Sequence, residues 1–144
     1  MNTKILSEDV FLTRVSAELK RAERYRIFVS LIVLDVGAVR NISADENFSL
    51  INDVVGYVQR YVRVIDDISL LGPYKVGMLF PETTRQGAEI ASKRISELIK
   101  QQLSELNGSP FDQVIPLEMA SYPDAAGARS IADFLMEYSK QNLN

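Results

Sequence analysis

The chain has no cysteine, no histidine and no tryptophan among its 144 residues. Without Cys there is no disulfide, no thiolate nucleophile and no sulfur ligand for zinc. Without His there is no Ser-His-Asp triad and no imidazole base. A basic excess is missing too: 16 Lys and Arg stand against 19 Asp and Glu, a net charge of −3. That balance argues against nucleic acid as a partner. The longest apolar run, Ile27 to Leu34, is interrupted by Ser30 and falls well short of the ~20 residues of a membrane-spanning helix. Met1 to Phe11 lacks the apolar stretch of a secretion signal. The expectations are therefore a cytoplasmic location and no membrane insertion by this segment. Any catalysis would rest on carboxylates, lysines, hydroxyls, backbone amides and a hard cation such as Mg²⁺, which prefers oxygen ligands.

With 47% hydrophobic and 24% charged residues, the composition is that of a globular domain. The length suits a single domain over residues 1–144, able to bury roughly two thirds of its unfolded surface. Ser7 to Tyr25 is expected to be a helix, capped by Ser7 and with Val10, Phe11, Val15, Leu19 and Ala22 along one face. Ile27 to Leu34 is nearly continuous and β-branched, as in a strand covered on both faces. It ends at Asp35, which is either a ligand or metal site at a strand end or a cap and turn former. Asp45 to Tyr61 has helical periodicity. Val64 to Leu71 and Lys75 to Phe80 are expected strands, joined by a hairpin at Gly72, Pro73 and Tyr74. Thr83 or Thr84 opens a helix running to about Leu103. Phe111 to Ala120 is an expected strand, with Pro116 marking an edge or irregular position. Tyr122 to Asp124 is a turn, and a last helix runs from Ala126 or Ser130 to about Gln141. The order α-β-α-β-β-α-β-α predicts an α/β (α+β) fold with one sheet covered by helices.

Several strings in this order resemble a GGDEF domain, the diguanylate cyclase module of bacterial signalling. FLTRVSAELKRAER, from Phe11 to Arg24, is similar to the FxxxLxxELxRAxR opening of that family. SLIVLDV, from Ser30 to Val36, is similar to its SLLLLDI strand. LGPYKVGMLFPET, from Leu71 to Thr83, aligns with LGGDEFAVLLPET. Ala88 to Ile95, ASYPD from Ala120 to Asp124, and Ala132, Asp133 and Lys140 match later segments. The resemblance covers nearly the whole chain. It implies a nucleotide-cyclase-like fold with a mixed, mainly antiparallel sheet. In the family, two domains facing each other join two GTP molecules into cyclic di-GMP, with carboxylate-held Mg²⁺ neutralising phosphate charge.

The signature that carries this chemistry is altered. Its five positions read Gly72, Pro73, Tyr74, Lys75 and Val76. Pro73 replaces the glycine that leaves room for nucleotide and removes an N–H. Tyr74 replaces the metal-binding acid, and Lys75 reverses the charge of the next one. Asp35 matches the other metal-binding Asp, but Gly37 stands at the usual second Asp. Ser43 and Phe48 fall at or near the guanine-reading positions. Arg40 and Lys140 match phosphate-contacting positions, read either as residual phosphate contacts or as solvated surface charges. The expectation is no cyclase activity, no catalytic residue, no resident metal and no cofactor.

A second feature of the family is an inhibitory site marked by R-x-x-D. Here Arg63-Val-Ile-Asp66 stands with Asp66 six residues before Gly72, and Arg94 fills the place of a further arginine. Guanidinium forks pair with phosphate and with guanine O6/N7, and a carboxylate accepts guanine N–H groups. The same residues would also serve as an ordinary surface ion pair. Three readings follow. The first is an inactive domain that binds cyclic di-GMP through Arg63, Asp66 and Arg94. The second is a module for a protein partner or homodimer that binds no nucleotide. The third is a residual GTP binder using Asp35, Arg40 and Lys140.

Overall fold

A computed structural model describes residues 4–38, 44–107 and 114–142, without the side chains of 44–48, 106, 107 and 140–142. The elements in chain order are β1 (Ile5–Leu6), α1 (Glu8–Tyr25), β2 (Val29–Asp35), α2 (Ala44–Tyr61), β3 (Asp67–Leu71), β4 (Lys75–Pro81), α3 (Arg85–Asn107), β5 (Leu117–Tyr122) and α4 (Ile131–Asn142). A short 3-10 turn, Val36–Ala38, follows β2. The sheet order is β1-β3-β4-β2-β5, with β1 parallel to β3 and every other pair antiparallel. This is the expected α+β arrangement of four helices on a mixed five-stranded sheet.

β2 fills the centre because its run of β-branched and aliphatic side chains can be buried on both faces. Val29, Leu31 and Val33 pack with Phe11 and Val15 of α1 and Phe134 and Tyr138 of α4. Ile32 and Leu34 pack on the other side with Val54 and Val58 of α2 and Ile95 and Ile99 of α3. The α1 terminus is set by Ser7, whose Oγ accepts from Val10 N, with Glu8 and Asp9 complementing the positive helix end. Thr84 Oγ1 accepts from Gly87 N, so Thr84 rather than Thr83 opens α3. Ser130 Oγ accepts from Asp133 N, so α4 starts from Ser130 rather than Ala126.

Four boundaries differ from expectation. β1 is only two residues long and carries no periodic signal. Val64 to Asp66 is not the start of a strand: Asp66 N donates to Arg63 O, making a turn, and β3 begins at Asp67. β5 begins at Leu117 and runs through Tyr122, which was expected to lie in a turn; of the expected strand from Phe111, residues 111–113 lie outside the described ones. Pro116 nevertheless extends the pairing, because its carbonyl accepts from Asp35 N, and the strand it precedes is an edge as its lack of an N–H requires. Finally, α3 continues past Leu103 to Asn107.

Phe11 is fully buried between α1 and the sheet, where its ring lies close to the backbone of Gly77 on β4. Phe11→Ala should cost about 3–5 kcal/mol, read as a lower urea midpoint at unchanged m-value. A loss under about 1 kcal/mol would show that this side of the sheet is loosely packed.

Candidate functional site

Two surfaces carry the residues singled out by sequence. The first is the cleft beside the β3–β4 hairpin. Asp35 ends β2 directly opposite Lys75, the first residue of β4. Gly72 takes φ +65°, a left-handed turn conformation that glycine adopts without a Cβ penalty. Its N–H donates to Glu8 Oε1 at 3.2 Å, tying the hairpin to the start of α1. Tyr74 O accepts from Val36 N at 2.9 Å and Gly37 N at 3.3 Å. The 3-10 turn after β2 therefore sits against the hairpin backbone. A Cβ added at Gly37 would lie 2.9 Å from Tyr74 Cβ, so Tyr74 occupies space that an acidic residue at position 37 would need.

Between these elements lies a cavity of about 530 Å³ bounded by Glu8, Asp35, Leu71, Tyr74, Lys75 and Tyr138. Tyr138 comes from α4 and is 6% exposed. Its hydroxyl pKa is pushed up to about 12, mainly by burial and further by the negative charges of Glu118, Glu8 and Asp35. The donor set does not fit the paired Mg²⁺ ions that the family resemblance implies. Asp35 faces an ammonium rather than a second carboxylate, Tyr74 offers no anionic oxygen, and no three acidic side chains converge among the described residues. Arg40 and the side chain of Lys140 lie outside the described residues, as do Ser43 and the side chain of Phe48.

The second surface is the turn between α2 and β3. Asp66 is buried, with 2% of its side chain exposed, while 55% of the Arg63 side chain is exposed. Arg63 N donates to Asp66 Oδ2 at 2.8 Å, Arg63 Nε to the same oxygen at 3.2 Å, and Nη2 to Oδ1 at 3.0 Å. Nη2 also donates to Thr83 Oγ1 at 2.9 Å and Pro81 O at 3.4 Å. The guanidinium thus joins its own turn to the segment between β4 and α3. Arg94 is exposed on α3 and is not part of this hydrogen-bonded turn.

Glu8, Thr83 and Tyr138 were not recognised in the sequence as site residues. Glu8 reads as an ordinary acid in the first turn of a helix, and its hairpin partner is 64 positions away. Thr83 reads as a cap for α3. Tyr138 falls on the inward face of α4, which marks it as core but not as a cleft wall.

No family model and no curated protein matches the sequence. Solved structures do match. The GGDEF domain of FimX from Pseudomonas aeruginosa superposes with a TM-score of 0.69 at 18% identity, covering 96% of this chain and 86% of that one. A DGC protein from Thermotoga maritima gives 0.68 at 16% identity, with 96% and 95% covered. The GGDEF domain of DgcB from Caulobacter crescentus, solved in complex with c-di-GMP, gives 0.63 at 15% identity, with 97% and 85% covered. At these identities the likeness is one of fold. The chain has the GGDEF domain fold.

Removing Asp66 deprives three donors of Arg63 of their acceptor and opens the turn. Asp66→Ala should cost about 1–3 kcal/mol, whereas Arg14→Ala, which breaks one hydrogen bond to the less buried Asp67, should cost under about 1 kcal/mol. Urea unfolding of both variants checks the difference. Equal small losses would reduce the turn to a surface contact.

Proposed function

We propose that this chain is a GGDEF-fold signalling domain without diguanylate cyclase chemistry that senses cyclic di-GMP through the surface carrying Arg63 and Arg94. The observation that carries the reading is the contrast between the two surfaces. At the hairpin, the strand-end carboxylate of Asp35 stands opposite Lys75, and Pro73 and Tyr74 fill the positions of a glycine and a metal-binding acid. A cation-dependent phosphoryl transfer has too few oxygen ligands there. At the turn, a guanidinium is held in a fixed orientation by a buried carboxylate while half of the side chain faces solvent. A pre-oriented fork loses little freedom when it meets a phosphate or the O6/N7 edge of guanine.

In this arrangement Asp66 is a positioning residue. Its two oxygens already accept from Arg63, so a guanine edge would reach it only after the turn rearranged. Arg94 would supply the second cation. The lack of a long apolar helix among the described residues is compatible with a signalling domain that does not itself span a membrane.

A protein partner or a homodimer is the second reading. It is favoured by the tip of the same turn, where Val64 is 85% and Ile65 51% exposed. Two adjacent exposed aliphatic side chains beside an arginine suit a protein contact better than they suit water.

Purified chain given GTP and Mg²⁺ should release no cyclic di-GMP; turnover at the rate of an active cyclase would overturn the loss of chemistry. Calorimetry with cyclic di-GMP should give heat at micromolar concentration, and Arg63→Ala and Arg94→Ala should each weaken binding by about tenfold or more. No heat from the wild type would remove the sensor reading and leave the protein-contact reading.

A further inference from the structure

We propose that the cleft beside the β3–β4 hairpin is a metal-independent binding site for a small zwitterion, an α-amino acid with an apolar side chain. The proposal stands on a different site from the cyclic di-GMP reading and does not depend on it.

The cavity, about 530 Å³, lies within the range of about 300–1,000 Å³ typical of small-molecule sites. Its polar wall carries both signs of charge: Glu8 and Asp35 are anionic and Lys75 is cationic. Asp35 and Lys75 are directly opposite on antiparallel strands, which places their Cβ atoms roughly 4.5–5.5 Å apart on one face of the sheet. Both are half-buried, yet they form no ion pair with each other or with any other described residue. A neighbouring carboxylate and ammonium, each without a partner, match a ligand whose own ammonium and carboxylate sit on one carbon.

Glu8 adds a second acceptor for the ligand's ammonium, because only its Oε1 is committed, to Gly72 N. The Tyr138 hydroxyl is a third polar group. The Tyr138 side chain lies largely buried on the cavity wall, and its hydroxyl makes no hydrogen bond among the described residues. Leu71, Pro73 and Tyr74 complete the lining, and their apolar atoms would take the ligand's side chain. A nucleoside triphosphate is disfavoured in the same place. It would bring several negative charges to a wall with more carboxylates than ammoniums and without the clustered acids that hold a neutralising metal.

The test is amide NMR on the full chain in the presence of EDTA, adding each standard L-amino acid in turn at up to about 10 mM, the range of weak millimolar sites. One or more with an apolar side chain should shift the amides of Gly37, Gly72 and Tyr74. The carboxamide derivative of that amino acid, which keeps the ammonium and loses the carboxylate, should bind at least about tenfold more weakly. Asp35→Asn and Lys75→Met should each lower the affinity similarly while leaving amides remote from the cleft unmoved. Arg63→Ala should bind the amino acid normally, which separates this site from the cyclic di-GMP surface. Absence of shifts with every amino acid, equal binding of the carboxamide, or undiminished binding in both cleft variants would overturn the proposal.

Discussion

β2 is hydrogen-bonded on both edges, to β4 and to β5, and covered on both faces by helices. A strand so placed cannot slip by one residue, because the shift would exchange the side chains destined for the two cores. Val29, Leu31 and Val33 belong to the side of α1 and α4, and Ile32 and Leu34 to that of α2 and α3. The register that satisfies both cores also pairs Val29 with Pro81 and Asp35 with Lys75 at the two ends of the β2–β4 ladder. The cleft chemistry is thus fixed by hydrophobic packing several residues away. The same ladder carries Pro81 to the end where its carbonyl and Thr83 meet Arg63. Both surfaces are referred to one strand.

Much of this was legible in the sequence because its cause is local. The two-sided burial of β2 follows from an apolar run broken only by Ser30, which is tolerated there because its hydroxyl donates to Thr83 O. The helices follow from periodicity and caps, and the hairpin from Gly72 and Pro73. What was not legible arises from contacts between distant segments. β1 has two residues and exists because β3 offers it an edge. Val64 and Ile65 look like strand residues by composition, but Asp66 accepts from the Arg63 backbone and side chain and turns the chain instead. Glu8 reaches the cleft only because α1 begins beside the hairpin. Asp35 was named from its place at a strand end and Gly72 and Lys75 from the motif comparison, while the cavity between them needed α1 and α4 to be placed.

The two altered or retained motifs differ in what holds them. Arg63 and Asp66 have a role in the fold that requires no ligand: a buried carboxylate must be satisfied, and Arg63 satisfies it three times over while also tethering Pro81 and Thr83. Ligand binding at that surface would use an arginine whose position is already determined by stability. At the hairpin the described residues make no comparable side-chain network. Tyr74 contributes its carbonyl to Val36 and Gly37, a contact that any residue would make. Its side chain packs against the edge of the α2–α3 core, so it serves the fold as well as lining the cleft.

Gly37 and Tyr74 are nevertheless not independent of each other in space. Gly37 and Tyr74 share one volume: a side chain at 37 would press on Tyr74 Cβ at 2.9 Å. The two backbones are already joined by hydrogen bonds at this point, so neither can retreat without breaking the turn after β2. Restoring an acidic residue at 37 would therefore meet a steric barrier. Restoring one at 74 would leave its carboxylate next to Lys75, across from Asp35. There the ammonium places positive charge beside the strand-end carboxylate. Lys75 is the residue on which the cleft's identity turns. With a cation built into the strand, the cleft presents a carboxylate and an ammonium side by side at the end of one ladder.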